Sequence, residues 1–182
     1  SKDLCMIGHI PEMIDAGIDS FKIEGRMKTA LYVATVARTY RKAIDDYLKD
    51  PKLYEANMEW YKEEIGKCTY REFTTGFYFG KPGSDAQIYN SNTYVKNYTY
   101  LGTVEEADGK GRCRIEQKNK FSVGETIEIM KPDGRNLEVV VKSICDEDGN
   151  EQESAPHPKQ ILWVDLGADV DKYDILRKKE DN

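Results

Sequence analysis

The sequence predicts an α+β fold in three parts: the C-terminal βα end of a β/α-barrel-type domain, a helical and irregular connector, and a small antiparallel β-barrel. Three observations predict it. An alternating stretch, Ser20 to Glu24, runs through Gly25 into a long amphipathic helix. Glycine and aromatic residues crowd together without a period between Cys68 and Asn97. After Asn97, short β-rich runs are separated by Asp-Gly turns. The expected parts are residues 1–50, 51–96 and 97–182.

From Met6 to Ala16, the residues Ile7, Ile10, Met13 and Ile14 recur at helical spacing. Pro11 suits the first turn and Gly17 the stop. Phe21 and Ile23 then alternate with Lys22 and Glu24, as in a strand with one apolar face. A helix is expected from about Met27 to Leu48, its apolar face carrying Tyr32, Val33, Val36, Ala37, Tyr40, Ile44, Tyr47 and Leu48. Arg38, Arg41, Lys42, Asp45 and Asp46 fall on its polar face. Strand, glycine turn and long helix form one unit of a β/α barrel, and such a unit cannot bury its strand alone. The rest of the barrel is expected upstream or in another chain.

Asp50 and Pro51 are the cap and first residue of a third helix, which runs through Leu53, Tyr54, Met58, Trp60, Tyr61 and Ile65 and ends at Gly66. The stretch from Cys68 to Asn97 reads as an ordered connector pinned by aromatic anchors. Strands are expected at Tyr98 to Val104, Gly111 to Gln117, Thr126 to Lys131, Asn136 to Cys145, Ile161 to Leu166 and Ile175 to Arg177. Turns at Asp108-Gly109, Asp133-Gly134 and Asp148-Gly149 separate several of them, which suggests a small closed barrel.

The 182 residues are 33% charged and 39% hydrophobic, with a formal net charge of −6. That balance suits a globular protein and argues against nonspecific nucleic-acid binding by the whole surface. No apolar run approaches the roughly 20 residues that span a bilayer, and no signal peptide opens the chain, so a cytoplasmic protein is expected. The opening Ser1-Lys2-Asp3-Leu4-Cys5 lacks an initiator methionine and reads as a piece of a longer protein. Cys5, Cys68, Cys113 and Cys145 lie too far apart for a local metal motif. Cys113 and Cys145 fall in strand-like runs and read as core residues.

Lys22, Glu24 and Arg26 are the candidate catalytic residues, because ligands of α/β domains bind at the carboxyl ends of strands. Two readings of this charge stand: a functional group at the barrel mouth, or a structural salt-bridge set. No phosphate loop, zinc helix or nucleophile elbow is present. His157 lies in a proline-flanked loop, and His9 reads as a partly buried structural residue. Tyr94, Tyr98 and Tyr100 beside Lys96 offer stacking surfaces for a single-stranded nucleic acid, or ordinary packing.

Longer strings carry a resemblance. Ser1-Lys2-Asp3-Leu4-Cys5, Ile10-Pro11-Glu12, Ala16-Gly17 and Phe21-Lys22-Ile23-Glu24-Gly25-Arg26-Met27-Lys28 open the series. Tyr32-Val33-Ala34, Tyr40-Arg41-Lys42-Ala43 and Arg71-Glu72-Phe73-Thr74-Thr75-Gly76-Phe77 continue it. With the terminal barrel, these strings resemble the C-terminal part of the collagenase-like peptidase family U-32. At the level of fold alone, Phe121 to Ile129 also resembles β-barrel modules of translation factors. The family resemblance implies one of two activities. One is peptidase action on a peptide substrate. The other is hydroxylation of tRNA uridine or rRNA cytidine, with an iron–sulfur cluster and prephenate as a requirement.

The resemblance also implies that Cys5 is one cluster ligand, the others lying in an upstream Cys-rich signature absent from this sequence. A cluster is therefore not expected on this stretch alone, and Cys5 is expected as an orphaned thiol. Implied partners are RNA, and the upstream half of the same protein or a paralogous subunit; no membrane is expected. On the hydroxylation reading, Lys22, Glu24 and Arg26 bind an anionic small molecule or RNA phosphate, and the small barrel helps to dock RNA. A binding or assembly module without activity is the remaining alternative.

Overall fold

The computed structural model describes residues 2–84 and 94–180. Ser1 of the opening string and residues 85–93 of the expected connector lie outside them. Two units follow one another, a helical unit, Ser1–Asn97, and a β unit, Tyr98–Asn182.

In the helical unit, β1 (Asp3–Leu4) leads through a 3-10 turn, Ile7–His9, into α1 (Ile10–Asp15), with Pro11 in its first turn. The chain leaves α1 at Gly17, whose φ of 79° suits a residue without a side chain. Thr29 caps α2 (Ala30–Lys49) by accepting the Tyr32 N–H at 3.3 Å. Asp50 then caps α3 (Pro51–Ala56) by accepting the Lys52 N–H at 3.0 Å. The third expected helix is broken at Asn57, beyond which α4 (Met58–Ile65) runs to Gly66. Asn57 Nδ2 donates to Asp46 Oδ2 at 2.9 Å, tying the break to α2.

The face that α2 buries differs from the one its apolar residues mark. Leu31, Thr35, Val36, Arg38, Thr39, Ala43 and Asp46 are buried, whereas Val33 and Leu48 are exposed. Paired charges make this possible: Arg38 bonds Glu64, and Asp46 accepts from Lys42, Asn57 and the Tyr61 hydroxyl. Tyr54 closes the core by donating to the Ile7 carbonyl at 2.8 Å.

Ser20 to Glu24, expected as a strand, forms none. Among the described residues no strand or bridge includes it, and Lys22, Ile23 and Glu24 are exposed. A strand persists only where a neighbour pairs its N–H and C=O groups, and among the described residues none lies beside this stretch. The connector is held instead by pairing that the sequence did not signal. Its β2 (Phe73–Thr74) lies parallel to β1, and Tyr70 bridges Val95. Tyr70 stacks on Phe73, and Phe79 meets the His9 ring, each at 4.5 Å.

The β unit holds β3 (Tyr98–Ala107), β4 (Arg112–Glu116), β5 (Thr126–Met130), β6 (Asn136–Val140), β7 (Ser143–Cys145), β8 (Glu151–Gln152), β9 (Ile161–Asp165) and β10 (Ile175–Lys179). Their order is β6-β5-β10-β3-β4-β9-β7-β8. β6 pairs with β5, and β7 pairs with β9, yet β6 and β7 are halves of one stretch. Between them the Val141 N–H bonds Glu125 O and the Lys142 N–H bonds Asp165 O. The sheet therefore curls until its ends meet in residues 136–145, as the expected small barrel requires. Inside lie Leu101, Val104, Ile115, Ile129, Leu162 and Leu176, each fully buried. The Asp-Gly turns form as read, with φ of 70°, 97° and 85° at Gly109, Gly134 and Gly149.

Two buried cations are held by carboxylates. Arg177 bonds Glu128, and Lys131 lies 2.8 Å from Asp171 and 2.9 Å from Asp174. Leu162→Ala should remove a fully buried side chain and destabilise the barrel by about 2–5 kcal/mol. Denaturant unfolding of the whole chain, in a Trp60→Phe background so that Trp163 reports, checks this; a loss below 1 kcal/mol, roughly, would show that the barrel repacks around the gap.

Candidate functional site

Two strings far apart in the chain meet through β1 and β2. Asp3 faces Phe73 and Leu4 faces Thr74, and the Cys5 N–H extends the ladder to Thr74 O at 2.9 Å. A carboxylate locks the junction. Arg71 donates its backbone N–H to Asp3 Oδ2 at 2.9 Å, and its Nε and Nη2 to Oδ1 at 2.9 and 2.6 Å. Burial opposes ionisation of Asp3, but the Arg71 amide and guanidinium, with Lys28, hold its carboxyl below its ordinary value.

Lys28 reaches the same carboxylate from the other string, with Nζ 3.8 Å from Asp3 Oδ2. Its ammonium also lies over two rings, 4.9 Å from Tyr32 and 5.1 Å from Tyr94. Arg71 lies 5.9 Å from the Tyr94 ring. A turn aims Lys28 inward, the Lys28 N–H bonding Gly25 O at 2.9 Å. Gly25 is needed there because a Cβ would stand 2.8 Å from Val33 Cγ2.

The remaining residues of that string face water. Lys22 and Glu24, with side chains 86% and 73% exposed, stand 4.0 Å apart. Glu24 Oε1 accepts the Arg26 N–H at 3.0 Å. Among the described residues, Lys22, Glu24 and Arg26 thus lie near one another on an open surface. An exposed pair of this kind contributes little to stability.

Cys5 projects from β1 toward α2. The Tyr40 hydroxyl accepts the Met6 N–H at 2.7 Å and donates to Cys5 Sγ at 3.8 Å. Burial pushes the thiol up from its ordinary value, and burial beside that thiol pushes the Tyr40 phenol up as well. Cys5, Cys68, Cys113 and Cys145 are all free. Among the described residues no group of three or more His, Cys, Asp or Glu side chains is arranged to hold a metal. An iron–sulfur cluster takes four thiolates, so these residues do not make a cluster site by themselves.

His9 is half-buried, bonded to Glu12 at 3.1 Å, and His157 is exposed. Tyr94 belongs to the helical unit beside Lys28 and Arg71, whereas Tyr98 and Tyr100 lie on β3, where Tyr98 faces Arg177. Asp3, Arg71 and Tyr40 were not singled out as site residues from the sequence. Asp3 and Arg71 had a signal, since each sits in a string that carries the family resemblance.

A helical unit that joins the Asp-Leu-Cys and Arg-Glu-Phe-Thr-Thr-Gly-Phe strings, followed along the chain by a small β-barrel, gives a two-part architecture. Residues 1–88 match the peptidase family U32 model, and residues 96–177 match the peptidase family U32 C-terminal domain. The chain belongs to peptidase family U32. It is 40% identical over 178 residues to the tRNA hydroxylation protein P1 of Bacillus subtilis, covering 97% of this chain and 42% of that protein. It is also 41% identical over 124 residues to a collagenase of Porphyromonas gingivalis, covering 63% of this chain and 30% of that protein. The crystal structure of the C-terminal domain of a Geobacillus thermoleovorans protein, named as a U32 peptidase, matches with a TM-score of 0.41 at 32% identity. That match covers 45% of this chain and 92% of the other. The chain thus spans less than half the length of these curated relatives. No helix among the described residues is long and apolar enough to cross a membrane.

Because the Asp3 pKa is lowered on folding, its charge contributes stability above the ordinary value of 3.8, and this is lost as pH falls through the folded value. Asp3→Asn should therefore lower the thermal unfolding temperature at neutral pH, with the gap to the parent closing below about pH 4. A gap that stays constant down to acid pH would assign the effect to packing and not to the carboxylate charge.

Proposed function

We propose that this chain is the C-terminal portion of a U32 protein that hydroxylates tRNA, dependent on an iron–sulfur cluster and prephenate, with the β-barrel as its RNA-docking module. The observation that carries this reading is the similarity over 97% of the chain to a protein named for tRNA hydroxylation. Chemistry at Cys5 agrees with it. A cysteine peptidase needs a thiolate activated by an adjacent base. Here the thiol is pushed up by burial, and the group bonded to it is a phenol that is itself pushed up.

Hydroxylation of an unactivated base carbon draws its redox chemistry from a cofactor. Cys5 is one ligand in this reading, the remaining ligands lying outside this chain. Lys22, Glu24 and Arg26 are exposed, which supports their assignment to contact with the anionic substrate. Peptidase action is the second reading, favoured by the collagenase of P. gingivalis over 63% of the chain.

The test uses the full-length parent in a strain lacking its gene. Mass spectrometry of tRNA nucleosides should show hydroxylated uridine with the parent, a sharp loss with Arg26→Ala, and none with Cys5→Ala. Anaerobically purified Cys5→Ala should also lose iron and acid-labile sulfide. Parent protein that restores no hydroxylation, yet hydrolyses denatured collagen through repeated purification, would overturn the reading in favour of a peptidase.

A further inference from the structure

We infer that Lys28 and Arg71, held by Asp3 and flanked by Tyr94, form an oxyanion-binding site that takes a phosphate or carboxylate group of the substrates. This deepens the proposed function and rests on it for the identity of the ligand. Four observations carry the site itself.

The charges do not balance. Lys28 and Arg71 converge on one carboxylate, and the neighbouring Glu72 is taken by Lys2 at 3.1 Å. The cluster therefore keeps one positive charge in excess.

The donors are not used up. At 3.8 Å the Lys28–Asp3 contact is an ion pair beyond hydrogen-bond length, and Lys28 Nζ makes no hydrogen bond among the described residues. Its side chain is 24% exposed and lies against two aromatic faces, so the ammonium is held in place with its donors open to an incoming anion. Arg71 commits its backbone N–H, Nε and Nη2 to Asp3 and leaves Nη1 without a partner among the described residues.

The site is pre-organised. Asp3 fixes the guanidinium through three hydrogen bonds and is ionised at neutral pH, so an arriving anion finds the guanidinium already oriented. Tyr94, 59% exposed, walls the cations on an open side.

The site shares a face with the thiol. Asp3 and Cys5 are two residues apart along one ladder, so their side chains project to the same side of β1. An anion bound at Lys28 and Arg71 is thereby anchored on the Cys5 side of the strand. By contrast, Lys22, Glu24 and Arg26 form an exposed set without a shaped surface.

The experiment uses the full-length parent and its Lys28→Gln and Lys28→Arg variants, with unmodified tRNA transcript as one probe and prephenate as the other. Lys28→Gln should weaken tRNA binding severalfold and lower the slope of log affinity against log salt by about one, with Lys28→Arg restoring both. If tRNA binding and slope stay unchanged while prephenate is bound severalfold more weakly, the site takes the carboxylate. Amine acetylation of the unmutated protein, mapped by mass spectrometry, keeps the test independent of folding: tRNA or prephenate should shield Lys28. No shielding by either probe, with Lys28→Gln binding both as the parent does, overturns the inference. Binding and shielding decide this site, whereas the nucleoside assay decides the hydroxylation reading, so one can fail without the other.

Discussion

Backbone N–H and C=O groups that leave water must be paired, and that constraint decides which extended stretches of this chain become strands. Asp3–Leu4 is short and has little β-branched character, yet it is a strand because Phe73–Thr74 lies beside it. Ser20 to Glu24 has the better alternation and is no strand, because nothing among the described residues pairs with it. In the β unit the same demand is met by closure. Residues 136–145 serve β5 with one half and β9 with the other, so the sheet curls on itself. Only the two-residue β8 adds to it from outside that ring.

Charge follows a parallel rule, since an ion removed from water needs a partner that repays its desolvation. Arg38 with Glu64, Asp46 with Lys42 and Tyr61, Arg177 with Glu128, and Lys131 with Asp174 all satisfy it. These pairs fix helix on helix and strand on strand, and their side chains are spent on that task. Lys28 is different in kind. Its side chain is more exposed than most of theirs, and its carboxylate is shared with a guanidinium that holds the better geometry. The surplus charge lies next to the junction of two strings, beside a half-open tyrosine, where a structural ion pair alone would leave none over.

What the sequence revealed depended on how local the deciding force was. The cap at Asp50, stops at Gly17 and Gly66, and the Asp-Gly turns are set by neighbours within a few residues, and they stand where they were read. Strand runs after Asn97 were legible because a closed sheet rewards alternation in every strand. The buried face of α2 was not, because Arg38 and Asp46 become core residues only through partners far along the chain. The candidate site split in the same way. Its string around Lys28 was visible, but that Lys28 turns inward while Lys22, Glu24 and Arg26 face water rests on a turn at Gly25 and on Asp3 and Arg71.

Cys5 shows how a single side chain limits the chemistry open to the rest. Its sulfur is sheltered and its thiol is pushed up, so by itself it is a poor nucleophile at neutral pH. The Tyr40 hydroxyl that meets it is fixed in direction, because its oxygen already accepts the Met6 N–H and its proton is left for the sulfur. A donor aimed at sulfur stabilises a thiolate without activating it for attack, which is what a ligand needs and what a peptidase nucleophile does not. The Cys5 thiol and the Lys28–Arg71 cations are thus carried on or against one short strand, whose position is fixed by the Asp3–Arg71 pair.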